Sequence, residues 1–90
     1  MVLSYRLEAD MKIKSIAQNQ TEVHFPREGI VVLFSYDTPV AASIGRYWYK
    51  TSKRWTGTIS RHINEWLPTG HAIEKPQEFF DNLCDSMRIF

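Results

Sequence analysis

The sequence predicts an α+β fold: an antiparallel sheet of about four strands followed by two C-terminal helices packed on one face. Three observations carry this expectation. Runs rich in β-branched and aromatic residues fill the chain as far as residue 51, the apolar period changes from two to 3.6 after Thr58, and a second helical stretch follows before the C-terminus. The 90 residues supply material for one core only.

The elements follow in order. Met11 opens "MKIKSIAQNQTEVHF", which reads as strands near residues 11–17 and 21–25 around a polar turn. Residues 1–10 then form an N-terminal extension, expected to be poorly ordered, and residues 11–90 the single domain. "FPREGIVVLFSY" places a turn at Pro26–Gly29 and a buried strand after it. "TPVAASI" continues extended, with Pro39 implying a break, a bulge or an edge. Gly45 turns the chain into "RYWYKT", and "SKRWTG" is a loop. Ile59, Ile63, Trp66 and Leu67 then mark one stripe of an amphipathic helix, with Thr58 or Ser60 as N-cap and Pro68 ending it. Pro76 starts the second helix, which buries Phe79, Phe80, Leu83, Cys84 and Met87. Glu78 near its start and Arg88 near its end complement its dipole.

Composition excludes several classes. With 43% hydrophobic residues the chain is no disordered tail. Cys84 is the sole cysteine, so no internal disulfide can form, and no CxxC-type metal pattern surrounds it. A reducing, cytoplasmic setting is the expectation. The longest apolar run is "IVVLF", residues 30–34, far short of a membrane span, and the N-terminus has no signal-peptide character.

Charge is unevenly distributed. Residues 1–45 carry a net −1, residues 46–68 a net +4 and residues 69–90 a net −2. No carboxylate lies between Thr38 and Asn64, so a one-signed surface is expected there.

"FSYDTPVAA", the aromatic strand with "SKRW", and "TISRHINEWL" together resemble a group of short proteins encoded by bacteriophages and prophages. That group shares F-S-Y-x-T-P-V-A, a downstream Trp and S-R-H-I-N-x-W-L, and the resemblance spans roughly residues 11–83. Where most members place a Ser or Thr pair before the Arg, this chain keeps Thr58 and has Ile59. The group has no established activity. The resemblance implies a phage-derived, cytoplasmic, accessory protein that faces the host, and inhibition or modulation of a host defence complex is the expected role.

Three chemistries compete for the middle segment. Arg46, Lys50, Lys53, Arg54 and Arg61, interleaved with Tyr47, Trp48, Tyr49 and Trp55, combine phosphate contacts with stacking platforms, the ingredients of single-stranded nucleic-acid binding. In so small a domain the same tryptophans are needed for the core, and the charges are then a solvated rim. "SRHINEW" offers a second surface, on which Arg61 and Asn64 can grip a partner while His62 sits beside the buried stripe. Catalysis is the third. His24, His62 and His71 lack metal-ligand spacing, and Asp37 as an acid–base companion of His62 is set against the favoured reading, in which it caps the turn at Thr38 or pairs with an arginine. The reading that results is a non-enzymatic binding protein without cofactor or metal. Its partner-binding residues are Arg46, Lys50, Lys53, Arg54, Trp55, Arg61, His62 and Asn64. The expected partner is a host or phage protein, with nucleic acid as the alternative, no membrane, and a homodimer as an open option.

Overall fold

The computed structural model describes residues 11–68 and 72–87. The readings of residues 1–10 as an extension and of Arg88 as a dipole partner lie outside the described residues, as does His71.

Five strands form an antiparallel meander in chain order: β1 (Lys12–Ala17), β2 (Gln20–Phe25), β3 (Ile30–Ser35), β4 (Thr38–Ile44) and β5 (Tyr47–Thr51). Helix α1 (Gly57–Trp66) then carries the chain to β6 (Ala72–Lys75), which pairs parallel to β5, and α2 (Gln77–Ser86) follows. A parallel neighbour needs such a crossover, whereas antiparallel strands need only a tight turn. The α+β class and the two C-terminal helices agree with expectation. The sheet has six strands among the described residues, not about four. β6 went unread because "AIEK" is four residues long and does not alternate cleanly.

The helices lie on opposite faces of the sheet, which corrects the single-face arrangement. Phe80 and Cys84 of α2 pack with Val23, Phe25, Val32, Phe34 and Ala42. Ile59 and Ile63 of α1 pack instead with Leu33, Val40 and Ala41, joined by Trp55, Trp66 and Leu67. The cause is "IVVLF" in β3. An unbroken apolar run puts side chains on both faces, so Val32 and Leu33, neighbours in sequence and both fully buried, each need their own cover. Pro39 sits at a bulge, where the β3–β4 register shifts between Leu33 and Phe34. The shift lets the consecutive residues Val40 and Ala41 join the same core.

Each hairpin turn contains one residue with left-handed backbone: Asn19 (φ 62°), Gly29 (φ 68°), Tyr36 (φ 58°) and Gly45 (φ 61°). Glycine and asparagine tolerate that region. Tyr36 is the exception, a bulky residue held there at a cost of about 1–3 kcal/mol. Backbone hydrogen bonds tie the turns in pairs at the two ends of the sheet, Tyr36 N–H to Asn19 O (2.8 Å) and Gly45 N–H to Gly29 O (3.0 Å). Helix α1 is flanked by Thr56 with no side-chain cap, so neither Thr58 nor Ser60 caps it. Leu67, in extended conformation, ends the helix before Pro68. No helix among the described residues is long and apolar enough to cross a membrane.

Candidate functional site

Helix α1 divides the predicted site residues between two clefts. One, of about 400 Å³, is bounded by the end of β5, the loop after it, the outer side of α1 and β6, and it gathers Lys50, Lys53, Arg54, Trp55 and Asn64 with Glu74. The other, of about 480 Å³, lies between α1 and the turns 18–19 and 36–37, and contains Arg61 and His62 with Tyr36, Gln20 and Glu65. Arg46 belongs to neither, since it occupies the β4–β5 turn.

In the first cleft the aromatic is held firmly. Trp55 is half-buried against the Ile59–Ile63 core. Lys53 Nζ stands 4.3 Å from its ring centroid, and its indole N–H reaches Gln77 Oε1 at 3.4 Å. Trp48, the other tryptophan of the basic segment, meets Trp66 edge-on with ring centroids 5.2 Å apart. Both rings are thus engaged within the protein. Apart from the Lys53 ammonium over Trp55, the charges are not firmly engaged. Lys53 and Arg54 are exposed without an ion pair among the described residues, and Lys50 meets only Glu74, at 3.9 Å, with both side chains solvated. Such an exposed pair contributes little, about 0–1 kcal/mol. The local field is therefore positive.

The second cleft rests on a buried hydrogen bond, Ser35 Oγ to His62 Nδ1 at 2.7 Å. His62 is 5% exposed and Ser35 fully buried, so the imidazole is fixed by its partner and by Tyr36, whose ring centroid lies 6.1 Å away. Asp37, the predicted acid–base companion, is exposed in the turn and bonded to neither His62 nor Arg61 among the described residues. A serine beneath the sheet surface has no room for attack on a substrate. The Cys84 thiol is shielded as well. Burial, with smaller contributions from Asp81 and Asp85, pushes the Cys84 thiol up to about 12, so it stays protonated. Among the described residues no group of three His, Cys, Asp or Glu side chains gathers to hold a metal ion.

On the α1 face of the sheet, Trp66 donates its indole N–H to Glu22 Oε2 at 2.6 Å, and Glu22 Oε1 meets His24 Nε2 at 2.7 Å. Burial by itself would raise the Glu22 pKa. The hydrogen bonds from Trp66 and His24, with the charges of His24 and Lys14, outweigh it and hold the carboxyl below its ordinary range.

The residues that sequence reasoning missed are Ser35, Tyr36, Glu22 and Gln77. Tyr36 had a visible signal, because Tyr36 and Asp37 are the only residues between two strands and one of them must adopt turn geometry. The partnerships of Ser35, Glu22 and Gln77 span 27, 44 and up to 38 residues, and no local pattern encodes them.

Residues 11–82 match the sequence model of a family described as "Family of unknown function (DUF8033)". No curated protein and no solved structure matches the chain.

Proposed function

On the premise that the chain belongs to DUF8033, a family of unknown function, we propose that the protein is a non-enzymatic binding module that docks on an acidic protein surface through the cleft of Lys50, Lys53, Arg54, Trp55 and Asn64. The observation that carries this reading is the engagement of Trp55. Single-stranded nucleic acid needs free aromatic faces for its bases. Here Lys53 stands over the Trp55 ring and the core packs against it, while Trp48 is joined to Trp66. What the cleft offers outward is a net positive charge, with Arg54 exposed and without an ion pair among the described residues, and the Asn64 amide. Those features suit carboxylates and backbone groups of a protein partner. The resemblance to short phage-encoded proteins supplies the setting, modulation of a host complex, with the partner a host or phage protein in the cytoplasm. Arg46 and Arg61 stand apart from this cleft, Arg46 in the β4–β5 turn and Arg61 on the other flank of α1.

Capture from host lysate by wild type, Arg54→Glu and Asn64→Ala, run beside oligonucleotide binding at low and moderate salt, tests the proposal. The expected result is a protein captured by wild type and weakened about tenfold or more by each substitution, because binding energy concentrates in few residues. Oligonucleotides should not bind. Tight oligonucleotide binding that falls steeply with salt would replace this reading with the nucleic-acid one. Mass in solution, measured on the same preparation, decides between monomer and homodimer.

A further inference from the structure

The cleft on the other flank of α1 has a different chemistry, and three observations make it a candidate ligand site in its own right. On α1 the residues Thr58, Arg61, His62 and Glu65 fall at i, i+3, i+4 and i+7, one continuous polar stripe facing the paired hairpin turns. His62 is 95% buried, and with Nδ1 held by Ser35 its Nε2 has no hydrogen-bond partner among the described residues. A buried ring nitrogen with no protein partner among the described residues, on a side chain that lines the cleft, is open to a hydrogen bond from water or a ligand. Tyr36, finally, is the one turn residue ill suited to its left-handed backbone, yet it is half-exposed at the cleft mouth. Strained residues of this kind cluster at ligand-binding and switch sites.

The lining narrows the ligand class. Tyr36 and His62 form an aromatic wall, their rings inclined at 34°. Gln18, Asn19 and Gln20, from the opposing turn, present amides that both donate and accept. Arg61 and Glu65 are exposed, and neither forms an ion pair within the described residues, so the cleft lining carries one charge of each sign. A simple anion would use Arg61 alone and leave the aromatic wall and the turn amides unused. A flat heteroaromatic ring with mixed donor and acceptor edges uses all of these groups. The volume of about 480 Å³ lies within the range of small-molecule sites.

We propose that this cleft binds a nucleoside monophosphate, with Tyr36 stacked on the base, the turn amides and Glu65 meeting polar edges of the base and ribose, and Arg61 holding the phosphate. His62 Nε2 supplies a further hydrogen bond from the wall. The site is separate from the basic cleft and does not depend on the reading of that cleft.

The test is titration of the ¹⁵N-labelled protein with AMP, GMP, CMP and UMP in turn, followed by amide chemical shifts. At least one of the four should bind with a dissociation constant of about 1 mM or tighter. The amides that move should be those of residues 17–20, 36 and 58–65. Arg61→Ala, on the helix surface, should weaken binding about tenfold. Tyr36→Asn should abolish it while leaving the melting temperature unchanged or raised, because asparagine accepts the left-handed backbone. Absence of shifts with all four nucleotides would overturn the proposal. So would shifts centred on residues 53–55, or Tyr36→Asn lowering the melting temperature while binding persists.

Discussion

Gln77, the first residue of α2, links three distant parts of the chain through one amide. Its Nε2 donates to Pro39 O at 2.7 Å and to Asp81 Oδ1 at 3.3 Å, while its Oε1 accepts from Thr51 Oγ1 at 2.9 Å and from the Trp55 indole at 3.4 Å. Gln77→Leu takes the acceptor from the buried Thr51 hydroxyl, which keeps only the Lys53 N–H at 3.2 Å, and the side-chain donor from the Pro39 carbonyl, so a loss of about 1–3 kcal/mol is expected. Thermal unfolding would show it as a fall of about 4–8 °C per kcal/mol in a domain of this size. Glu22 makes a pH-dependent contribution whose sign follows from its depressed pKa. An ionised carboxylate held below its unfolded value of about 4.3 adds stability at pH above that value, and the contribution is lost as pH falls through the folded pKa. Trp66→Phe removes the indole donor. The variant should be less stable than wild type at neutral pH, by about 1.5–3 kcal/mol for a hydrogen bond to a charged group, and the gap should narrow as the carboxyl protonates. Urea denaturation of both proteins between neutral and strongly acidic pH checks it. A gap that held constant with pH would assign the loss to the Trp48–Trp66 contact instead.

Among the elements, the two helices and the meander were legible because each has a pattern of its own. Strand β1 was read to within a residue of its observed start and end, and the α1 and α2 stripes were recognised from Ile59, Ile63, Phe80 and Cys84. What the pattern of one element cannot reveal is which face of the sheet it covers. That depends on whether β3 is buried once or twice, and Val32 beside Leu33 was the residue-level clue. The energetic weight of the elements differs sharply. Phe80 is fully buried, whereas Ile13 on β1 is 67% exposed. Phe80→Ala should cost about 3–5 kcal/mol, a large share of the about 5–15 kcal/mol typical of a domain, and Ile13→Ala should stay within about 0.5 kcal/mol. Denaturant midpoints of the two variants provide the comparison.

At the scale of the molecule, the predicted site was legible as composition but not as geometry. The carboxylate-free stretch does yield a positive cleft, because Lys50, Lys53, Arg54 and Asn64 come together. Arg61 and His62, close to them in sequence, were grouped with the same surface. Helical rotation turns them to the other flank of α1, since residues 61 and 62 lie three and four positions after Thr58, and Asn64 lies four after Ser60. The parallel crossover has a consequence for regulation. The basic cleft takes its walls from β5, α1 and β6, so an occupant touches both sides of the connection as well as the helix between them. Among the described residues β6 pairs only with β5, over four positions, and its outer edge has no strand neighbour. A segment so placed is among the first to open locally. By thermodynamic linkage, a partner seated across the crossover stabilises the closed edge by whatever it loses when that edge opens. Occupancy of the cleft is then coupled to the fraying of the strand that leads directly into α2.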